Sequence, residues 1–136
     1  MDSLQIPGDI FDQMVEQARA EAPIEACGIL AGNNGRVEKI YKMKNADKSS
    51  NHFMMAPEEQ FKVVKDIRAC GLKMLAIYHS HPVTPARPSA EDIRLSLTPD
   101  LVYVIVSLKN KNMPAIKGFL IEDSSVTDAT VEVIDG

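Results

Sequence analysis

His79 and His81 stand two residues apart at the end of a short apolar run, Met74-Leu75-Ala76-Ile77, and Pro82 follows them at once. Bounded by Gly71 upstream and Pro82 downstream, the run reads as a buried strand ending at the histidines. Side chains alternate along a strand, which puts both imidazoles on one face and Ser80 on the other. Two imidazoles held in this way can bind one zinc ion if a third ligand arrives from elsewhere and a fourth position stays open for water. A buried strand has little reason to end in two imidazoles on one face unless something binds them.

Ser89-Ala90-Glu91-Asp92 follows Pro88 and precedes Ile93, Leu95 and Leu97, which marks a helix start with Ser89 as the N-cap. Glu91 and Asp92 point about 100° apart at roughly 3.6 residues per turn, so at most one can face the metal. Helix geometry alone leaves either carboxylate open, and the same residues would also make an ordinary cap. Glu25 is a lone carboxylate at the mouth of an otherwise uncharged run. It is either a solvated strand end or, beside a metal, a base that takes a proton from water. His52 closes a polar loop and reads as a fourth ligand, a substrate contact or simply an exposed side chain. Cys27 and Cys70 read as free thiols. A single disulfide or zinc ligation are rival roles, although neither cysteine sits in a Cys-x-x-Cys spacing.

Several elements must hold these residues in place. The apolar spacing of Ile10, Phe11, Met14, Val15 and Ala18 predicts an amphipathic helix over 8–21, ended by Pro23. Residues 26–31 and 36–41 read as a hairpin around Asn33-Asn34-Gly35. Residues 42–52 form a loop, and a second helix runs from Pro57 to Gly71. Leu101–Val106 is nearly continuous aliphatic sequence, so it reads as a central strand covered on both faces. Residues 115–122 and 126–134 give two further strands, the last with a half-exposed edge position. The order predicts an α/β fold, one mixed sheet flanked by helices.

The 136 residues suffice for one core, so a single domain over 1–136 is expected. With 45% hydrophobic and 25% charged residues the chain reads as globular rather than disordered. A net charge of −4 gives no basic footprint for nucleic acid or a membrane surface. The first residues show no basic segment followed by an apolar core, so a cytoplasmic location is expected.

With these residues in view, the chain resembles the JAMM (MPN-plus) metallopeptidases, whose signature is a distant Glu, His-Ser/Thr-His-Pro, a spacer and Ser-x-x-Asp. Glu25 in Pro-Ile-Glu-Ala-Cys-Gly-Ile-Leu, His79-Ser80-His81-Pro82 and Ser89-Ala90-Glu91-Asp92 fill that signature in order. The resemblance implies a cytidine-deaminase-like α/β fold and one Zn2+ per chain on His79, His81 and Asp92. It further implies Glu25 as general base and acid, and Ser89 as the stabiliser of the developing oxyanion. The compact chain is similar to stand-alone prokaryotic members. These act on ubiquitin-like or sulfur-carrier proteins with a C-terminal Gly-Gly, and that is the partner the resemblance implies.

Neither nucleic acid nor membrane is an expected partner, and a homodimer is compatible with this reading. Two rivals remain. A catalytically silent protein-binding scaffold would generally lack one or more of the five site residues. A zinc hydrolase of a small-molecule amide, such as a deaminase, would usually show a His-x-Glu motif and Cys-x-x-Cys ligands. The Pro82–Pro88 loop, with three prolines among Pro82, Pro85 and Pro88, is stiff. It reads as one wall of a groove for a glycine tail, with Arg87 available to an acidic partner.

Overall fold

The computed structural model describes residues 3–96 and 98–135, so Leu97 lies outside the described residues. In chain order the elements are β1 (Ser3–Pro7), α1 (Gly8–Glu21), β2 (Cys27–Asn33), β3 (Arg36–Met43) and α2 (Pro57–Ala69). They continue as β4 (Lys73–His81), α3 (Ala90–Leu95), β5 (Val102–Ser107), β6 (Ala115–Glu122) and β7 (Ser125–Ile134). The strands form one mixed sheet in the order β1-β3-β2-β4-β5-β6-β7, which closes on itself. Its parallel pairs are β4 with β5 and β1 with both β7 and β3.

Closure changes one expectation. β7 is not an edge, because β1 pairs with it along five residues from Ser3↔Thr130 to Pro7↔Ile134. The seam on the other side is thin, a Gln5↔Arg36 bridge with the Gln5 amide donating to the Gly35 carbonyl at 2.8 Å. β1 itself carries only two inward apolar residues, Leu4 and Ile6, both fully buried.

The two faces of the sheet bury different clusters. One packs Leu4, Ile10, Met14, Leu30, Tyr78, Val102 and Val104 beneath α1. The other packs Cys27, Ile29, Ala31, Met43, Val63 and Ile67 beneath α2. β5 is buried at all six positions, as expected of a strand covered on both sides. The β2–β3 turn places Asn34 at φ 54 and Gly35 at φ 77, the paired positive φ that a two-residue hairpin loop needs. Gly28 meets a different demand: a Cβ there would lie 2.3 Å from the Tyr78 ring. Without that Cβ, Tyr78 reaches across to donate its hydroxyl to Gln17 Oε1 at 2.6 Å, fixing α1 against β4.

Candidate active site

Strand alternation sends Tyr78 and Ser80 to one side of β4 and His79 and His81 to the other. Ser80 Oγ accepts the Ala26 amide at 2.8 Å, and the Ser80 amide donates to the Ala26 carbonyl at 2.9 Å. The strand bearing the histidines is therefore stapled to the residue next to Glu25. On the opposite face, His79 Nε2 and His81 Nε2 lie 3.2 Å apart. Asp92 Oδ2 lies 3.2 Å from the first and 3.0 Å from the second.

Asp92 reaches this point because α3 begins at Ser89 with a complete capping box. Ser89 Oγ accepts the Asp92 amide at 3.0 Å, and Asp92 Oδ2 accepts the Ser89 amide at 2.9 Å. The carboxylate left open by helix geometry is thereby assigned. Asp92 joins the histidines, while Glu91 turns outward to Arg94 at 2.7 Å. The reciprocal partner of the N-cap and the candidate metal ligand are thus one residue, Asp92.

His79, His81 and Asp92 are all buried, and their ligand-type atoms fall within 4.8 Å of one another. His81 Nδ1 faces the Pro85 carbonyl at 2.8 Å; since a carbonyl can only accept, Nδ1 carries the proton and Nε2 is left as a lone-pair donor. His79 is oriented differently. Its Nδ1 is buried without a hydrogen-bond partner, and Phe53 stacks on the ring with centroids 4.8 Å apart. Two imidazole nitrogens and a carboxylate oxygen converging in a buried site match the donor set of a catalytic zinc site.

In the metal-free state protons take the place of a cation between these groups. Burial alone would raise the Asp92 carboxyl, but hydrogen bonds from His79 and His81 overcome it and hold Asp92 well below the usual carboxylate range. Burial lowers His79, with Asp92 opposing only in part. For His81 burial also pulls downward, yet the Asp92 contact and the Pro85 carbonyl outweigh it and the ring is raised.

Glu25 is 3% exposed, and its Oε1 has no hydrogen-bond partner among the described residues. Burial, with the Asp92 charge adding to it, pushes its carboxyl up to about 8 against a small opposing pull from His81. The solvated strand end is thus excluded. In metal-free protein this shift has a consequence for stability. The unfolded chain releases the proton near 4.5 and the folded chain near 8, so between those values the folded state binds more protons and loses stability as pH rises. Metal-free Glu25→Gln is expected to gain on metal-free wild type by about 1 kcal/mol or more between about pH 5 and pH 8. Thermal melts at several pH values measure this, and parallel curves for the two proteins would contradict it.

Other candidates fall outside the cluster. His52 Nε2 contacts Asp47 Oδ2 at 2.9 Å and borders the site without joining the three ligands. Cys27 and Cys70 are both free. Burial, then the charges of Glu21, Glu59 and Glu25, push the Cys27 thiol up to about 12 in the metal-free protein, and its sulfur is not among the ligand atoms that converge with the histidines. Cys70 is exposed beyond α2, beside Asp66.

Two positions carry structural duties that sequence reasoning left unassigned. Asn45 is 2% exposed, and its Nδ2 donates to the carbonyls of Glu25 at 3.0 Å and His52 at 2.9 Å. It ties the loop over the site to the Glu25 backbone. Phe53, the ring against His79, is the second. An asparagine in a polar loop and a phenylalanine before two methionines give no local signal of either duty.

A throat of about 20 Å³ is bordered by Phe53, His79, Asp92 and Tyr103, and it shares His52, Phe53 and Leu95 with a wider cleft of about 440 Å³. That cleft runs between residues 52–57 and α3. The Pro82–Pro88 loop does not wall it. Ala86 is buried against Ile105 and Phe119, and Ser107 Oγ donates to the Thr84 carbonyl, so the loop is pinned over β5 and β6.

Residues 7–118 match the family of prokaryotic homologues of the JAB domain. Among curated proteins, a CysO-cysteine peptidase of Mycobacterium tuberculosis is 37% identical over 134 residues, 97% of this chain and 92% of that protein. A desampylase of Haloferax volcanii is 32% identical over 111 residues, covering 76% and 80%. The solution structure of protein DSY2949 from Desulfitobacterium hafniense superposes with a TM-score of 0.89 at 41% identity, covering 98% of this chain and 94% of that one. A JAMM structure, described as a metalloprotease-like zinc site in the proteasome and signalosome, shares the fold at a TM-score of 0.58 and 19% identity, covering 94% and 96%. This chain therefore belongs to the family of prokaryotic homologues of the JAB domain, as a hydrolytic peptidase.

Proposed function

We propose that this chain, as one domain over 1–136, hydrolyses the amide bond after the Gly-Gly tail of a ubiquitin-like or sulfur-carrier protein. Zinc, one ion per chain, is held by His79, His81 and Asp92. The observation that carries the reading is the meeting of these three ligand atoms near the orphaned Glu25 carboxyl, in a chain 37% identical to a CysO-cysteine peptidase. When bound, the ion supplies Lewis-acid polarisation of the scissile carbonyl and makes water more acidic. Glu25, which the protein alone holds at about 8, is the carboxyl that would ionise beside that cation.

Glu25 takes a proton from the attacking water and returns it to the leaving amine. Its burial keeps competing water away from the carboxyl. Ser89 accepts the Asp92 amide through Oγ, which leaves its own O–H proton to be donated to the developing oxyanion. Ser89→Ala is expected to cost about 1 kcal/mol in stability through the cap and about tenfold or more in turnover. Denaturant melts and steady-state rates measured on the same preparation separate the two effects. Lost stability with unchanged turnover would leave Ser89 as a cap alone.

The tightness of the site beside His79 favours a glycine tail, since an extended chain without Cβ atoms comes closer to it than larger residues can. The test offers the zinc-loaded protein a Gly-Gly-tailed sulfur carrier with a C-terminal extension, the same carrier ending in Ala-Ala, and an unrelated peptide of equal length. Mass spectrometry locates the cut. Cleavage directly after the second glycine of the first substrate alone is the expected result, and equal cleavage of all three would overturn the reading.

A further inference from the structure

On the side of the Pro82–Pro88 loop away from the throat lies an open groove of about 560 Å³, floored by Ser107 and Ala115 and rimmed by Lys109, Lys111 and Lys117. Lys117 is shared with an adjoining groove of about 480 Å³, which Arg87 lines from the loop and where Asp128 is the one acid. All four cations are exposed, and none engages an ion pair among the described residues. In a chain of net charge −4, with 19 acidic residues against 15 basic ones, four unpaired cations beside a single carboxylate form a local field of the opposite sign. Arg19 donates to the Lys111 carbonyl, but Asp12 and Glu16 border it on its other side, so it lies outside this strip.

The strip is placed by the same strand register that places the site. His79 pairs with Ile105, and Ile105 with Lys117, so the lysine stands on the site face of the sheet two strands from the histidine. Two strand spacings amount to about 10 Å in a straight line, and the pinned loop lengthens the path, so a tail that reaches the site from the strip is extended and longer than the three residues at roughly 3.3 Å each that would cover the line itself. A body seated on the strip can therefore send an extended tail around the loop to the site. Met113, 72% exposed at the groove rim, adds an apolar contact.

We propose that this basic groove docks an acidic face on the folded body of the carrier protein, so that the protease reads the carrier's surface as well as its tail. The inference rests on the substrate reading above. Nucleic acid is disfavoured as the occupant, because no aromatic ring lines either groove for base stacking apart from Phe119, which is buried.

The test uses zinc-loaded protein and two substrates: a ubiquitin-fold carrier with acidic residues beside an extended Gly-Gly tail, and a short peptide copying the tail and its extension. Binding is measured in parallel with the carrier ending at its second glycine. The combined variant Lys109→Glu, Lys111→Glu, Lys117→Glu is expected to lower kcat/KM for the carrier about tenfold or more, chiefly through KM. Carrier binding should fall in step, while kcat/KM for the peptide stays within about twofold. Replacing the same lysines by arginine should retain wild-type values, and added salt should narrow the gap between wild type and the glutamate variant. Equal loss on peptide and carrier, or carrier binding unchanged by charge reversal, overturns the docking inference while leaving the substrate reading intact. Should wild type neither cleave nor bind the carrier, the substrate reading falls and the docking inference falls with it. An oligonucleotide that binds the groove when the carrier does not would also overturn it.

Discussion

Glu25→Gln is expected to keep its metal and its fold while losing roughly 10²- to 10⁴-fold in turnover. The substitution is close to isosteric and removes only the group that accepts the proton. Glu25 Oε1 makes no hydrogen bond among the described residues, so no network collapses with the change. The main-chain contacts that position residue 25, from its amide to the Ser49 carbonyl and from Asn45 Nδ2 to its own carbonyl, do not involve the side chain. Metal content and turnover measured on one preparation decide the role. Lost metal would make Glu25 a ligand, and near-normal turnover would move the proton transfer elsewhere. A carboxyl held near 8 by burial makes the second outcome costly to explain, since the protein gains nothing structural from it.

What could be read in the sequence is what is local. His79, Ser80 and His81 are set by the period of a strand, and the Ser89–Asp92 spacing by the first turn of a helix. Both motifs therefore stand in the structure where the linear pattern puts them. The choice of Asp92 over Glu91 was not fixed by the angle between neighbouring helical residues. It is made by the capping box, which turns the third helical residue back over its own N-terminus and toward β4, while Glu91 finds Arg94. The resemblance to a known signature supplied that choice where helix geometry did not.

Sheet closure was hidden for a related reason. β1 is five residues long, ends in Pro7 and shows only Leu4 and Ile6 as inward residues; its pairing partner lies more than a hundred residues away in β7. Such short segments carry too little pattern to separate them from an extended terminus. The prolines of the 82–88 loop were legible, but the face it covers was not. That depends on Ala86 meeting Ile105 and Phe119, a contact among three residues from separate parts of the chain.

Removing the metal is expected to abolish turnover and to lower stability, and both should return when zinc is restored. A ligand that binds only the folded state stabilises it by RT ln(1 + [L]/Kd), about 4 kcal/mol when free zinc stands at about a thousand times Kd. For a domain of this size that is on the order of 10 °C in Tm. Without a cation, the site must satisfy two imidazoles and a carboxylate with protons alone. Asp92→Asn isolates the ligand role. Its side-chain oxygen can still accept the Ser89 amide and preserve the cap, but it no longer offers a carboxylate to the ion. Zinc should then raise the Tm of wild type and leave that of Asp92→Asn nearly unchanged, with turnover lost in the variant. A variant that binds one equivalent of zinc as tightly as wild type would remove Asp92 from the ligand set. Equal melting of chelated and zinc-loaded wild type would remove the site itself.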